Sequence, residues 1–533
     1  MCAMPVPTNA VNTIMTIARP APKPAAVAPT IAGACRQTRK TGFTRKKMNT
    51  ASKFLIIILS TIAGTALASG FPVDTSRKTR MPPAKRMMRQ DSVDHAAMGH
   101  AMHNMMQMQQ GMSMMSHLYS RNLPMNRNAS GTAWHPDQSP MYMYMFHPNG
   151  PTGRPWMTML HYSVFIRHTN QNFNHSDKRG SNRQFDAPNY VMGMAQRQVG
   201  QRGLLAFKAM LSLDPLTVGN NGYPLLFQSG ETYKGQRLID RQHQHDLFSE
   251  LSVGYSYAIS PNSDVFGYVG YPGEPALGPP AFMHRLSSFN NPDSPLGHHW
   301  TDATHITFGV ATAGFRYKIA KLEVSNFTGR EPNENRYGFD RPRFDSYSYR
   351  LSVNPSPALA LQFSQGFIKS PEAAEPDHNV TRTTASLLHS KPLGQPDRYV
   401  SSALVWGMNS HDGVNENAFL AETSLQLART ALYGRYENIT KSVDELGLRD
   451  YFFDYPTTET KLVTINSLTL GMNYRLLQLA RTDLVLGAQL TGSFPDKALE
   501  PIYGKIPLSG QIYLRITPSL IPMLMSGRQM SHH

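Results

Sequence analysis

Two groups of residues in this 533-residue chain have the types and spacing for metal chemistry. In the first, ten of the 29 residues from Met87 to Met115 are methionine, interspersed with His95, His100 and His103 and followed by His117. His95, Met98, His100, Met102, His103, Met105, Met106 and Met108 place eight ligands within fourteen residues. Thioether sulfur is a soft donor suited to Cu(I), and imidazole suits Cu(II) and its neighbours. A flexible segment can wrap several of these into a trigonal or tetrahedral site, so copper ions are the one cofactor the sequence suggests. The plainer reading is a low-complexity linker whose methionines bind nothing or act as oxidation sinks.

The second group is Asp240-Arg-Gln-His243-Gln-His245-Asp246, with His298-His299 and Asp302-Ala-Thr-His305. His243 and His245 are two apart, so in an extended strand they share a face. With His298 and His299 they are expected to form a divalent-metal or anionic-ligand site at the outer mouth. The plainer alternative is hydrogen bonding that pins two long loops together. No enzyme is expected: catalysis needs a nucleophile paired with a base, and the histidines and acids here have no recognisable spacing for that. There is no glycine-rich phosphate loop, and both cysteines, Cys2 and Cys35, fall in the basic leader.

The elements that must position these residues are read from alternation. From Asp345 onward, Tyr347, Tyr349, Leu351 and Val353 alternate with Ser346, Ser348, Arg350 and Ser352. Asn354-Pro-Ser-Pro357 turns the chain, and Leu359, Leu361, Phe363 and Phe367 then alternate with Ala360, Gln362, Ser364 and Gly366. Period-2 alternation places each set on one face of a strand, and the short turn makes the two strands antiparallel neighbours. The unit recurs sixteen times, at about 158–168, 184–196, 201–213, 246–258, 262–271, 305–317, 319–328, 345–353, 357–368, 381–389, 398–408, 417–427, 429–438, 462–475, 482–491 and 509–517.

Links after strands 2, 4, 6, 8 and 12 are short, as at Val199-Gly200, Ser260-Pro-Asn262, Lys318 and Arg429, and those after strands 10 and 14 are moderate. Those after the odd strands are mostly long and polar, the longest being 214–245 and 272–304. Short turns at one end and long loops at the other, on an even strand count, predict an all-β, antiparallel transmembrane barrel of the outer membrane. Glu250, Arg350, Glu422, Arg435 and Arg475 fall on the polar parity, where a lumen tolerates charge and lipid does not. They are expected to line the lumen and set its selectivity.

The formal charge is +16, but residues 1–68 carry nine Lys/Arg and no acid, leaving 43 basic against 36 acidic residues in the rest. The basic character belongs to the leader, and no nucleic-acid partner is expected. Met48, Lys53, the apolar run Phe54–Ile62 and the exit Ala66-Leu67-Ala68 read as a secretory signal peptide over 48–68, with 1–47 a doubtful upstream extension. Residues 69–155 form the Met/His-rich segment, placed in the periplasm. Nearly free of aliphatic side chains, it is expected to be disordered or loosely helical and to build no core. The barrel is assigned to 156–518 and a tail to 519–533. Expected partners are outer-membrane lipid and small solutes or metal ions.

A signal peptide followed by sixteen alternating strands resembles the general porins of Gram-negative outer membranes. The resemblance implies a diffusion channel, a homotrimer, and a third outer loop folded into the lumen. By position that loop is 272–304, with Glu274, His284, Arg285, Asp293, His298, His299 and Asp302. The chain departs from porins at its end, where the strand Gln511–Thr517 is followed by sixteen further residues. The Met/His zone ahead of a barrel also resembles the copper-resistance outer-membrane proteins of the CopB type, which implies copper handling. A surface-presenting structural or adhesin barrel is the remaining reading, and a closed lumen would point to it.

Overall fold

The computed structural model describes residues 116–146, 156–452 and 461–521. The signal peptide and the Met/His ligands from His95 to Met108 lie outside the described residues.

Sixteen antiparallel strands close into a barrel. They are β1 Met157–Gln171, β2 Asn189–Val199, β3 Gly203–Leu211, β4 Phe248–Ser260, β5 Ser263–Gly270, β6 Val310–Tyr317, β7 Ala320–Phe327, β8 Ser346–Ser356, β9 Leu359–Ile368, β10 Val380–Pro392, β11 Arg398–His411, β12 Val414–Leu427, β13 Thr430–Ser442, β14 Leu462–Leu479, β15 Thr482–Pro495 and β16 Leu508–Pro518. The seam pairs β16 with β1, from Gly510 opposite Asn170 to Ile516 opposite Val164. The alternation sorts side chains as expected. On β4, Val253, Tyr255 and Tyr257 point outward and are 39–44 % exposed, while Glu250, Ser252 and Ser256 point inward and are buried.

Two connections differ from expectation. Asp412 and Gly413 both have positive φ, 49° and 80°, the backbone of a two-residue hairpin turn. So β11 runs directly into β12 where a longer link was expected. Within the long connection 214–245, Tyr223–Tyr233 and Gln236–Gln242 pair as a hairpin of their own.

The lumen is filled by the chain itself: by the Tyr223–Gln242 hairpin, whose Phe227 and Gln228 are fully buried, and by two further pieces. The first is 116–146, which the sequence suggested would build no core. Instead Tyr119, Met125 and Trp134 are at most 4 % exposed. Tyr119 and Met125 pack with inward-facing side chains of the wall, Met157, Met159, Met192, Met194, Met210 and Phe266, and the Trp134 ring lies under Lys321 of the wall, 4.7 Å from its Nζ. Tyr119 stacks on Phe266 with ring centroids 5.6 Å apart. The flexible thioethers fill the uneven space between ribbon and wall, so the core missing from the segment alone is completed by the barrel.

Polar contacts fix the position of this piece. Ser120 Oγ donates to Asp264 Oδ2 at 2.5 Å, Lys208 Nζ to the Gly131 carbonyl at 2.8 Å, and Asn354 Nδ2 to the His135 carbonyl at 2.9 Å. Asn122 reaches the Ser260 carbonyl and the Gln138 N–H reaches that of Pro357, so the piece sits at the short-turn end. Tyr144–Phe146 then pairs along β1 opposite Thr158–Leu160.

The second piece is 271–309, which folds inward from the long-loop end, as the porin resemblance implied. Asn290 Nδ2 donates to Ser424 Oγ at 2.7 Å. The Asp293 carboxylate accepts from Arg167 at 2.8 Å, Gln489 at 2.8 Å and Gln511 at 2.5 Å. The two pieces meet in mid-lumen. Ser130 Oγ donates to Glu274 Oε1 at 3.1 Å and accepts from the Ala281 N–H at 2.8 Å, and the Tyr142 and Phe289 rings lie 4.3 Å apart.

Candidate metal centre

The lumen charges expected to face water face one another and the filling pieces instead. Glu250 pairs with Lys208 at 2.9 Å and accepts from Tyr268 at 2.9 Å. Arg350 pairs with Glu323 at 2.9 Å. Glu422 is held between Arg285 of the inserted loop at 2.9 Å and Arg435 of the wall at 3.0 Å. Arg435 also donates to the Asp293 carbonyl at 2.9 Å and Ser288 Oγ at 2.6 Å. Only Arg475 of the five stays partly exposed, 3.5 Å from Asp483 near the short-turn end. A buried charge persists only when paired and hydrogen-bonded. Here the filler supplies many of the partners that water would otherwise provide.

The two histidine groups do come together, through loops rather than on strands. His243 and His245 follow the end of the inner hairpin at Gln242 and precede β4 at Phe248, so they do not share a strand face as expected. His298 and His299 open a single helical turn, His298–Thr301, and His305 ends the 3-10 turn Ala303–His305. The inward fold of both connections packs the five rings against one another. Centroids are 5.6 Å apart for His243–His299, 5.3 Å for His298–His299, 5.2 Å for His298–His305 and 5.5 Å for His245–His305. Phe282 closes one side, 5.5 Å from His298.

Every one of these rings has Nδ1 against an oxygen acceptor. His298 Nδ1 lies 2.8 Å from Asp302 Oδ1, one helical turn on, and His305 Nδ1 lies 2.8 Å from the Asp302 carbonyl. His245 Nδ1 is 2.9 Å from Asp214, His243 Nδ1 3.2 Å from Glu231, and His299 Nδ1 3.3 Å from Glu331. Carboxylates and carbonyls only accept, so Nδ1 carries the hydrogen, and in the neutral ring Nε2 keeps its lone pair. Nε2 of His298, His299 and His305 is buried with no hydrogen-bond partner among the described residues. Such Nδ1 anchoring is the usual support of a metal-ligating imidazole.

Burial, with the neighbouring imidazoles second, holds His243 well below the ordinary histidine value. Burial also lowers His298, partly offset by Asp302, and takes His305 down to about 3. Burial acts on His299 as well, but Glu331 outweighs it and the ring is raised. Gly230 makes room for this ring: its φ is +115°, and a Cβ there would lie 2.5 Å from His299 Cε1. The sequence groups all five histidines with Asp302 and points to His243, His245, His298 and His299 as ligands; it does not point to Asp214, Glu231 or Glu331 as anchors. Asp302, at i+4 from His298, carried a readable signal; Asp214, Glu231 and Glu331 did not.

No protein-family model and no curated protein matches the chain. Solved structures similar to it include OmpF of Salmonella typhi in complex with daunomycin, at 9 % identity and TM-score 0.42, covering 70 % of this chain and 99 % of that one. A loop L8 deletion mutant of OmpT, an outer membrane protein of Vibrio cholerae, aligns at 9 % identity and TM-score 0.40 over 68 % of this chain and 99 % of that one. The anion-selective porin from Comamonas acidovorans aligns at 10 % identity and TM-score 0.38 over 68 % of this chain and 99 % of that one.

Proposed function

We propose that this chain is an outer-membrane barrel that binds a transition-metal cation among the histidines of its inserted loops, with its lumen closed at rest by 116–146 and 271–309. An apolar exterior around a polar interior is the inverse of a soluble protein and the arrangement that lipid outside requires. The observation that carries the metal reading is the set of buried, unpartnered Nε2 atoms on rings whose Nδ1 is already anchored. The Nε2 lone pairs of the neutral rings His298 and His305 suit a cation and repel an anion, so of the two ligands expected from the sequence the metal is favoured. Imidazole suits Cu(II) and Zn(II) alike, while thioethers suit Cu(I). The Met/His zone from His95 to Met108, directly ahead of the first filling piece, supports copper as the cargo.

The test is Cu2+ and Zn2+ titration of the purified full chain in detergent, followed by calorimetry. The variant His298→Asn/His305→Asn is expected to lose one equivalent of metal while keeping the heat-modifiable migration of a folded barrel. Unchanged stoichiometry and affinity in that variant would overturn the reading. A filled lumen also favours a second reading, a barrel that presents its outer loops and passes nothing. Bilayer conductance that stays silent even after the filler is loosened supports that alternative.

A further inference from the structure

The β9–β10 connection and the β11–β12 turn stand side by side at the long-loop end, because β10 and β11 pair up to Thr381 opposite Ser410. His378 of the connection and His411 of the turn stack with ring centroids 6.4 Å apart and planes 24° apart. The left-handed turn places the Asp412 carboxylate between them, 3.5 Å from His378 Nδ1 and 3.8 Å from His411 Nδ1. Among the described residues, only these three bring three donor atoms within 4.8 Å of one another. Two more carboxylates flank the group: Glu375 lies 3.5 Å from His378 Nδ1, and Glu416 lies 3.8 Å from His411 Nε2.

Behind the triad lies a cavity of about 130 Å³ with seven carboxylates on its walls against two guanidinium groups, those of Arg237 and Arg382. His299 and Glu331 of the buried histidine cluster line that same cavity. The side chains of His378 and Asp412 are 49 % and 63 % exposed, so the group is open to the outside.

We infer that His378, His411 and Asp412 form a second cation site, a solvent-facing one that captures a divalent first-row metal at the mouth of the cavity leading to His299. Two imidazoles and one carboxylate are a three-ligand set of the kind that leaves a coordination position for water. Such a set holds zinc, copper or nickel and rejects the hard ions that need more oxygen ligands. The excess of carboxylates raises the local concentration of cations at the mouth. An open coordination position suits capture and release. The inference stands on its own three residues, and it shares with the proposed function only the cavity that joins the two sites.

The probe is Zn2+ on the full chain in detergent, read by diethyl pyrocarbonate modification of histidines and mass spectrometry. Zn2+ is expected to protect His378 and His411 together. Asp412→Asn, on an exposed turn and without effect on folding, is expected to raise the Zn2+ concentration needed for that protection at least about tenfold. Equal reactivity of His378 and His411 with and without saturating Zn2+ overturns the inference, as does unchanged protection in Asp412→Asn. Protection at the rim that persists in His298→Asn/His305→Asn, with no equivalent lost there, separates failure of the buried site from success of this one.

Discussion

Arg350 of the barrel wall donates from Nη2 to Thr132 Oγ1 of the first filling piece at 2.8 Å. The same guanidinium reaches the Gly278 carbonyl of the second piece at 3.2 Å and is held by Glu323. One wall residue therefore binds both of these pieces. Thr132→Val removes one charge-assisted hydrogen bond, worth about 1.5–3 kcal/mol, and is expected to convert a silent barrel into one with intermittent conductance steps. A silent Thr132→Val barrel argues against closure by this segment. Arg350→Ala leaves Glu323 with Lys321 alone, at 3.0 Å, and is expected to lower guanidinium-unfolding stability by less than the roughly 3–5 kcal/mol of a fully unpaired buried charge.

Glu422 ties the inserted loop to the wall by accepting from Arg285 and Arg435 at once. A double-mutant cycle between Glu422→Gln and Arg285→Met is expected to show coupling of about 0.5–3 kcal/mol. Additive effects on the unfolding midpoint would mean that the loop is held elsewhere.

Glu274, at the junction of the two pieces, yields a pH prediction. Burial raises its carboxyl to about 8 from the ordinary 4.5, with Arg350, Ser130 and Lys208 opposing the shift and Glu250 adding to it. The folded chain therefore keeps a proton that the unfolded chain gives up. The stabilisation is complete below pH 4.5, falls as pH rises through about 8, and is gone above that. Melting temperature is expected to decline between pH 5 and 9 in the native chain, with a visibly shallower slope in Glu274→Gln. Parallel slopes would assign the pH dependence to other groups.

Asp302 anchors His298 through its carboxylate and His305 through its carbonyl, and its second carboxylate oxygen accepts from Arg285 at 2.7 Å. Asp302→Asn keeps the shape but weakens the acceptor. Metal affinity at the buried cluster is expected to fall about 10- to 100-fold, measured by competition with a chromogenic chelator. The rim triad, which does not touch Asp302, is expected to keep its affinity.

The wall was legible because each strand alternates. The strict sorting of Tyr347, Tyr349 and Leu351 from Ser346, Ser348 and Arg350 survives intact in β8, where the first three are exposed and the last three buried. The filler was not legible for a physical reason. Residues 116–146 bury Tyr119 and Met125 against methionines more than thirty residues away, on strands whose inward face reads as unremarkable. The buried centre was half legible: runs such as His243-Gln-His245 and His298-His299 announce themselves, whereas their anchors Asp214, Glu231 and Glu331 arrive by folding. His378 and His411 gave no signal at all, because only the pairing of β10 with β11 makes them neighbours. The Asp412-Gly413 pair is itself a hairpin signal in the sequence, which the polar residues on either side of it obscure.

The seam of the barrel is shared. β16 holds β1 from Val164 to Asn170, and Tyr144–Phe146 of the filling chain holds Thr158 to Leu160. Withdrawal of the filler as one body therefore strips part of the first strand of its ladder and leaves bare N–H and C=O groups, the condition in which a strand recruits another chain. The β16–β1 seam would still close the wall, but the Thr158–Leu160 edge of the first strand is covered only while the filler stays in place.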